Sequence, residues 1–369
     1  MTAAAVKERA RSLGFDLCGV ARAEAFPEAD RFDEWLDRGY AGSMAYLSRS
    51  RERRRDLRAV LPSVRSVIVT GTVYHADRPY PIEHDDPGVA RIARYAWGDD
   101  YHTVIARRLE ALLAWLRQTA DVAFDARIYV DTGPVLEKVV ARHAGLGWIG
   151  KNSCLINPRL GSWVFLGEIL CSLDLEADEP VSDHCGSCTR CLEGCPTGAL
   201  AEPYVLDATR CISYLTIELR DSIPEALREA VGSQVYGCDI CQDVCPWNRD
   251  PAVTLDPAWQ PREGLDRPRL AELWSKEDDE LRALVRGSAM TRAKLTGLRR
   301  NLAVALGNSR SDEAAAALAR STDRAVVERS PSLDDPMVRE HIVWAQRRVT
   351  DAAEKAPDGR RGCGMRGPR

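Results

Sequence analysis

The apolar positions change their period along the chain, and each change marks an element. In "YHTVIARRLEALLAWLRQTA", residues 101–120, they recur at three and four, the spacing that lays one apolar stripe along a helix. "SVIVTGTVY" (66–74), "ARIYVD" (126–131) and "SWVFLGEIL" (162–170) are short, rich in β-branched and aromatic residues, and read as strands. "PVLEKVVARHA" (134–144) is helical in pattern, with Pro134 suited to a first turn. The proline-rich "DPAWQPREGLDRP" (256–268) reads as a linker. Beyond it, "RNLAVALGNSRSDEAAAALARS" (300–321) and "DPMVREHIVWAQRRVT" (335–350) predict short helices in succession, a helical-repeat signal. The end, "EKAPDGRRGCGMRGPR", has too little apolar content to fold. The pattern divides the chain into a mixed region over 1–175, a cysteine-bearing segment over 176–252, a helical region over 253–350 and a disordered tail over 351–369.

Composition narrows the class. With 369 residues, 45% of them hydrophobic, the chain has room for two or three cored domains. A net charge of -4 gives no global attraction to nucleic acid, so any such contact must be local. "MTAAAVKERARSLGF" lacks an apolar signal core, no twin-arginine export signal precedes the chain, and no apolar stretch approaches a membrane span. A reducing cytoplasm is the expected compartment, with no membrane partner.

The chemistry is carried by cysteine. "CGSCTRCLEGCP" (185–196) has the spacing C-x2-C-x2-C-x3-C-P, in which three thiolates ligate one four-iron cluster and the fourth reaches a second. "CDICQDVCP" (238–246) is a shorter echo: aligned from its end, the counterpart of Cys185 falls on Val235, which cannot ligate. Cys211, in "DATRCISYL", is the only cysteine between the runs. Two complete sets result, Cys185, Cys188, Cys191 with Cys245, and Cys211, Cys238, Cys241 with Cys195. Structural zinc wants two pairs rather than a triplet with a crossed fourth ligand, and disulfides want an oxidising compartment.

Other patterns are weighed against simpler roles. "GLGWIG" (145–150) fits G-x-G-x-x-G, but a helical stretch precedes it where a strand is required, and Asn152 stands where a phosphate loop needs a hydroxyl. Its glycines read as a helix stop and a close backbone approach. Asp131, in "RIYVDTGPVLEK", falls at the end of a predicted strand, where it can serve as a general acid if burial raises its pKa, or cap the following helix. From Leu281 to Arg300 the chain carries Arg282, Arg286, Arg292, Lys294, Arg299 and Arg300 with no acid, a phosphate-contact strip or a solvated helix face.

Taken together, "RYAWGDDYH", "YVDTGPVLEK", "GLGWIGKNSCLI", "GSWVFLGEI", "CGSCTRCLEGCPTGAL", "CISYLTIE", "GCDICQDVCPWN" and "LRRNLAVALGN" closely resemble epoxyqueuosine reductase, from near the N-terminus to about residue 349. The resemblance implies an α+β fold: a nitroreductase-like cobalamin-binding domain, a ferredoxin-like two-cluster domain and a C-terminal α-helical, HEAT-like repeat domain. It implies reduction of epoxyqueuosine to queuosine, the last step of queuosine biosynthesis, at the wobble base of tRNAs with GUN anticodons (those for Asp, Asn, His and Tyr). The implied cofactors are cob(II)alamin and two [4Fe-4S] clusters. A low-potential donor such as flavodoxin or ferredoxin would supply electrons, and the protein would act as a monomer. Asp131 matches the proton donor; Arg55, Leu155, Ser213 and Gly237 match stretches facing the corrinoid; Tyr101 and His102 match a motif near the substrate. Arg292, Lys294, Arg299 and Arg300 become the tRNA contacts. No D-x-H-x-x-G signature for an axial histidine is present, in agreement with that family. The alternatives are a cobalamin-dependent reductive dehalogenase, which is typically exported, and a ferredoxin-type electron-transfer protein, which would need neither Asp131 nor the basic strip.

Overall fold

The computed structural model describes residues 1–83 and 86–355. Its N-terminal part is built on four strands, β1 (Leu17–Arg22), β2 (Ser66–Val73), β3 (Ala126–Tyr129) and β4 (Val164–Cys171), in the order β1–β2–β4–β3 with every neighbouring pair antiparallel. Three of these are the expected strands; β1, in the mixed sequence "LCGVAR", was not legible. β2 is buried along its whole length, which explains why it is rich in β-branched residues and carries no charge. One sheet face, with Ile68 and Ile169, packs on α1 (Ala3–Ser12) and on Ile105, Leu109 and Leu112 of α2 (Tyr101–Thr119). The other face, with Val67, Val69 and Leu170, packs on Val139 and Val140 of α3 (Glu137–His143).

Helix α3 starts at Glu137 rather than at Pro134. The reason lies in the loop before it: Gly133 folds back on the Tyr129 ring so closely that a Cβ there would meet ring carbon at 2.4 Å, and the chain straightens into a helix only afterwards. Gly145, with φ of 73°, then ends α3. The close approach expected at the next glycine is to backbone: a Cβ on Gly147 would lie 2.3 Å from the Ile156 carbonyl oxygen.

The C-terminal part is helical, with α4 (Lys294–Ser309), α5 (Asp312–Ala319) and α6 (Pro336–Lys355). Its core also takes in Ala90, Ile92, Ala96, Trp97, Val235 and Tyr236, so it is sewn to both earlier segments. α6 runs past the expected end at 350, and the expected disorder from residue 356 onward lies outside the described residues. Among the described residues no helix is long and apolar enough to cross a membrane.

The basic strip divides here, and two of the expected tRNA contacts are corrected. α4 is buried all round from Gly297 to Gly307, and Arg299 and Arg300 are both 0% exposed. Arg299 donates to the carbonyls of Trp274 (2.7 Å) and Lys276 (2.6 Å) and pairs with buried Asp278 at 3.1 Å. Arg300 donates to the carbonyls of Leu215 (2.6 Å), Leu219 (2.9 Å) and Asp221 (2.7 Å), binding the stretch after Cys211 to the helical layer. A guanidinium has enough donors to satisfy several helix-end carbonyls at once, and that structural use left no acid in the pattern. Arg299→Met should therefore destabilise folding by roughly 3–5 kcal/mol, the cost of stranding a buried charge such as Asp278. Chemical denaturation measures it, and a loss below about 1 kcal/mol would contradict the buried pair.

Candidate active site

A cleft of about 1520 Å³ opens where the three parts of the chain meet. The sheet region lines it with Arg54, Tyr101, His102, Asp131, Glu137 and Lys138; the cysteine segment adds Ile217, Glu218 and Tyr236; the helical layer adds Arg292 and Lys294. Ordinary small-molecule pockets hold roughly 300–1,000 Å³, so this one suits a large ligand or two ligands together.

Asp131 stands two residues beyond β3 with φ of 58°, a left-handed conformation that aspartate and asparagine tolerate. Its N–H donates to Glu137 Oε1 at 2.5 Å, tying the loop to α3. It does not cap that helix: the N-cap is Leu136, and no side chain caps there. The expected capping role is absent, which leaves the carboxylate to the cleft.

His102 is placed by the N-terminus of α2. Asp100 caps that helix, accepting the His102 N–H at 3.1 Å, and the same carboxylate oxygen lies 2.7 Å from ring Nδ1. Ring Nε2 faces Asp131 Oδ2 at 3.4 Å. Burial opposes an imidazolium, but the two carboxylates outweigh it and raise His102 to about 9. For Asp131, burial pushes the carboxyl up, and the His102 contact, Tyr101 and Lys138 bring it below its usual value. Its side chain keeps 59% of its surface open to the cleft, which limits the burial cost and supports the downward direction. The simple expectation of a carboxyl raised by burial is thus corrected: at neutral pH the pair is imidazolium and carboxylate, sharing one proton. Tyr101 backs it, its ring stacked on Phe165 at 4.6 Å and 7°.

Other expected residues fall elsewhere. Arg55 is turned away, paired with Asp30 at 2.8 Å and with Asp33; its neighbour Arg54 lines the cleft instead, donating to the Val135 carbonyl at 2.7 Å. Leu155 is buried in the core under α3. Ser213 precedes the helical turn over Tyr214–Glu218. Gly237 lies behind the wall: with φ of 68°, a Cβ on it would meet Ala93 at 2.5 Å, with lining residues Tyr95 and Ile217 within 4 Å. None of Leu155, Ser213 and Gly237 is part of the lining.

The cysteines gather as two crossed sets. Cys245 feels the thiols of Cys185 and Cys191, and Cys191 those of Cys185 and Cys188. Cys238 feels Cys211 and Cys195, and Cys241 feels Cys238 and Cys211. Burial and neighbouring thiols push Cys211, Cys238 and Cys241 up, so four thiolates there need compensating positive charge, which an iron–sulfur cluster supplies. Cys195 is the exception: burial is outweighed by Thr197 and backbone N–H groups, and Ala199 N–H donates to its sulfur at 3.3 Å. Among the described residues no three His, Cys, Asp or Glu side chains converge as a single-ion site, whereas cluster ligands are spread around a larger core. Two features escaped the sequence reading: Cys154 contacts Cys241, which draws its thiol down to about 7, and Lys151 reaches the first cysteine loop, donating to the carbonyls of Gly186 (2.7 Å) and Cys188 (3.0 Å).

Two cysteine sets of iron–sulfur spacing, one of them beside a cleft with its own proton-bearing pair, define an iron–sulfur oxidoreductase. A family model described as a 4Fe-4S double cluster binding domain matches residues 184–248, and one described as epoxyqueuosine reductase QueG matches 54–132. The chain is 48% identical over 318 residues to the epoxyqueuosine reductase of Gloeobacter violaceus, covering 84% of this chain and 97% of that one. It resembles the crystal structure of an epoxyqueuosine reductase with an epoxyqueuosine-modified tRNA-Tyr stem loop, with TM-score 0.82, 29% identity, and 96% and 94% of the two chains covered. The Bacillus subtilis epoxyqueuosine reductase, whose structure has its catalytic aspartate loop swung out of the active site, matches with TM-score 0.81, 29% identity, and 96% and 95% covered. The chain belongs to the epoxyqueuosine reductase family.

Proposed function

We propose that the protein reduces the epoxide of epoxyqueuosine in tRNA to the alkene of queuosine, in the cleft that holds Asp131 and His102. One observation carries this reading: a single cavity joins a proton-bearing pair, walls that flank the Cys211–Cys238 set, and the cationic rim of Arg292 and Lys294. Removing an epoxide oxygen as water takes two electrons and two protons. A reduced corrinoid, bound in the volume between Tyr101, Ile217 and Tyr236, would supply electrons at carbon. The fit is supported by the cleft's size and by its histidine: both His102 nitrogens face carboxylates, so the ring has no free lone pair for a metal. His102 would then serve the corrinoid site as a proton carrier beside Asp131. Asp131 Oδ2 and His102 Nε2 hold the proton for the departing oxygen, Tyr101 and Phe165 hold that pair in place, and the aromatic walls exclude water. The reaction would draw on a low-potential donor such as flavodoxin or ferredoxin, in the cytoplasm, with the protein as a monomer. Anaerobic titration with cob(II)alamin should change the corrinoid absorbance at about one equivalent per chain; absence of binding to the cluster-loaded protein would remove the corrinoid from the scheme.

For tRNA, Lys294 is exposed at the rim, and Arg292 is held there by Glu218 at 2.8 Å and lies over Tyr46. Arg282 and Arg286 are exposed as well. Lys294→Ala with Arg286→Ala should lower the salt slope of tRNA binding by about one unit for each phosphate that these side chains neutralise, with iron content unchanged. Fluorescence titrations across a salt series measure this, and an unchanged slope returns both residues to a solvated surface.

A further inference from the structure

A charged side chain sits where the sheet should be apolar. Glu168 lies mid-way along β4, directly opposite Val69 on β2 and Tyr129 on β3. It therefore projects from the face that packs on α3, is 0% exposed, and meets no nitrogen or hydroxyl donor at either carboxyl oxygen; its polar contact is the Glu137 carboxyl. A buried carboxyl without such a donor costs stability and calls for a reason. What it faces is Glu137, the first residue of α3, which lines the cleft and accepts the Asp131 N–H. Two carboxyl groups in contact, one of them fully buried, do not readily both ionise.

We propose that Glu137 and Glu168 together store the second proton of the reaction, released into the cleft from Glu137 beside Asp131. The proposal rests on the reading of the cleft given above. Epoxide, two electrons and two protons give alkene and water: the Asp131–His102 pair holds one proton, and the carboxyl pair supplies the other. The O–H bond broken is that of Glu137, which Glu168 then reprotonates; the bond formed is on the departing oxygen, directly or through Asp131.

The charges around the pair agree with this. For Glu137, burial and the Asp131 charge push up, the Glu168 contact, the Asp131 N–H and Arg54 pull down, and the balance is about 7. For Glu168, burial and then the charges of Glu137 and Asp131 all push up. Tyr101 faces both Asp131 and Glu137 and keeps its own proton. His102 and Lys138 act on Asp131 rather than on the pair. Because the folded-state values are raised, the store is full at low pH and empties as pH rises through about 7. The same sign makes the pair a burden on stability above that pH.

Glu168→Gln tests this, since the amide keeps the shape and holds no transferable proton. Single-turnover rate should fall by roughly 10²-fold, the lower edge of general-acid loss, with tRNA affinity unchanged. The alkaline fall in rate should begin at higher pH, because the Glu168 contact that draws Glu137 down is lost. Difference infrared spectroscopy of the wild-type protein should show a protonated carboxyl at pH 7 that Glu168→Gln removes. Thermal unfolding at pH 8 should be unchanged or raised in the variant, whereas a merely structural residue would lower it. Glu137→Gln gives a second reading should that variant fold poorly. Absence of the infrared band, or a wild-type rate and pH profile in both variants, would overturn the proposal. The infrared result stands apart from turnover, so failure of the wild-type protein to reduce epoxyqueuosine would count against the cleft reading alone.

Discussion

Asp131→Asn is expected to bind corrinoid, both clusters and tRNA while turnover falls by roughly 10²–10⁴-fold, the range for loss of a general acid. The isosteric change keeps the side chain's shape and removes the carboxylate through which the His102 proton is passed. Asparagine accepts a φ of 58° as readily as aspartate does, so the loop should hold its shape. No helix cap is removed, because the N-cap position of α3 is Leu136 and no side chain caps it. What disappears is the carboxylate facing His102 Nε2, leaving the imidazolium supported by Asp100 alone. His102 should then titrate below its present value of about 9, and the loss of rate with rising pH should begin earlier. Single-turnover assays at matched corrinoid occupancy measure both effects. Near-normal turnover would remove Asp131 from the chemistry.

Cys195→Ala should abolish turnover through an effect distant in sequence. Cys195 lies in the first cysteine run, yet it stands with Cys211 and Cys238. The variant should lose about half its iron, one four-iron cluster of two, and the missing signal should belong to the set of Cys211, Cys238 and Cys241. That set is the one flanked by lining residues, since Tyr236 lies two residues before Cys238 and Ile217 six after Cys211. Iron counting with EPR on anaerobic protein reads the result. Loss of the Cys185 set instead would refute the crossed arrangement.

The sequence was most legible where one physical demand acts alone. α2 shows its period because one face meets the sheet, and β2 carries no charge and is rich in β-branched residues because both faces are buried. The cysteine spacing could be read because ligation allows little variation. Legibility failed where a side chain serves a partner distant in sequence. Arg299 and Arg300 look like any exposed basic pair, and only the fold shows that carbonyls from residues 215–221 and 274–276 take up their charge. Arg54 and Arg55 differ by one step around a helical turn, which alone decides which of them lines the cleft. Asp131 was found as a residue but not in its protonation state, because the proton's place depends on His102, 29 positions away. Glu168 did leave a sign: an acid in the middle of "SWVFLGEIL", among residues that otherwise suit a buried strand.

Deoxygenation of a tRNA epoxide in this cleft is tested by anaerobic incubation of the cluster-loaded protein with reductant, cobalamin and epoxyqueuosine-containing tRNA, followed by nucleoside mass analysis. Epoxyqueuosine should be replaced by a nucleoside lighter by one oxygen atom, only when cobalamin is present. Unchanged epoxyqueuosine from protein with full iron and corrinoid content would contradict it.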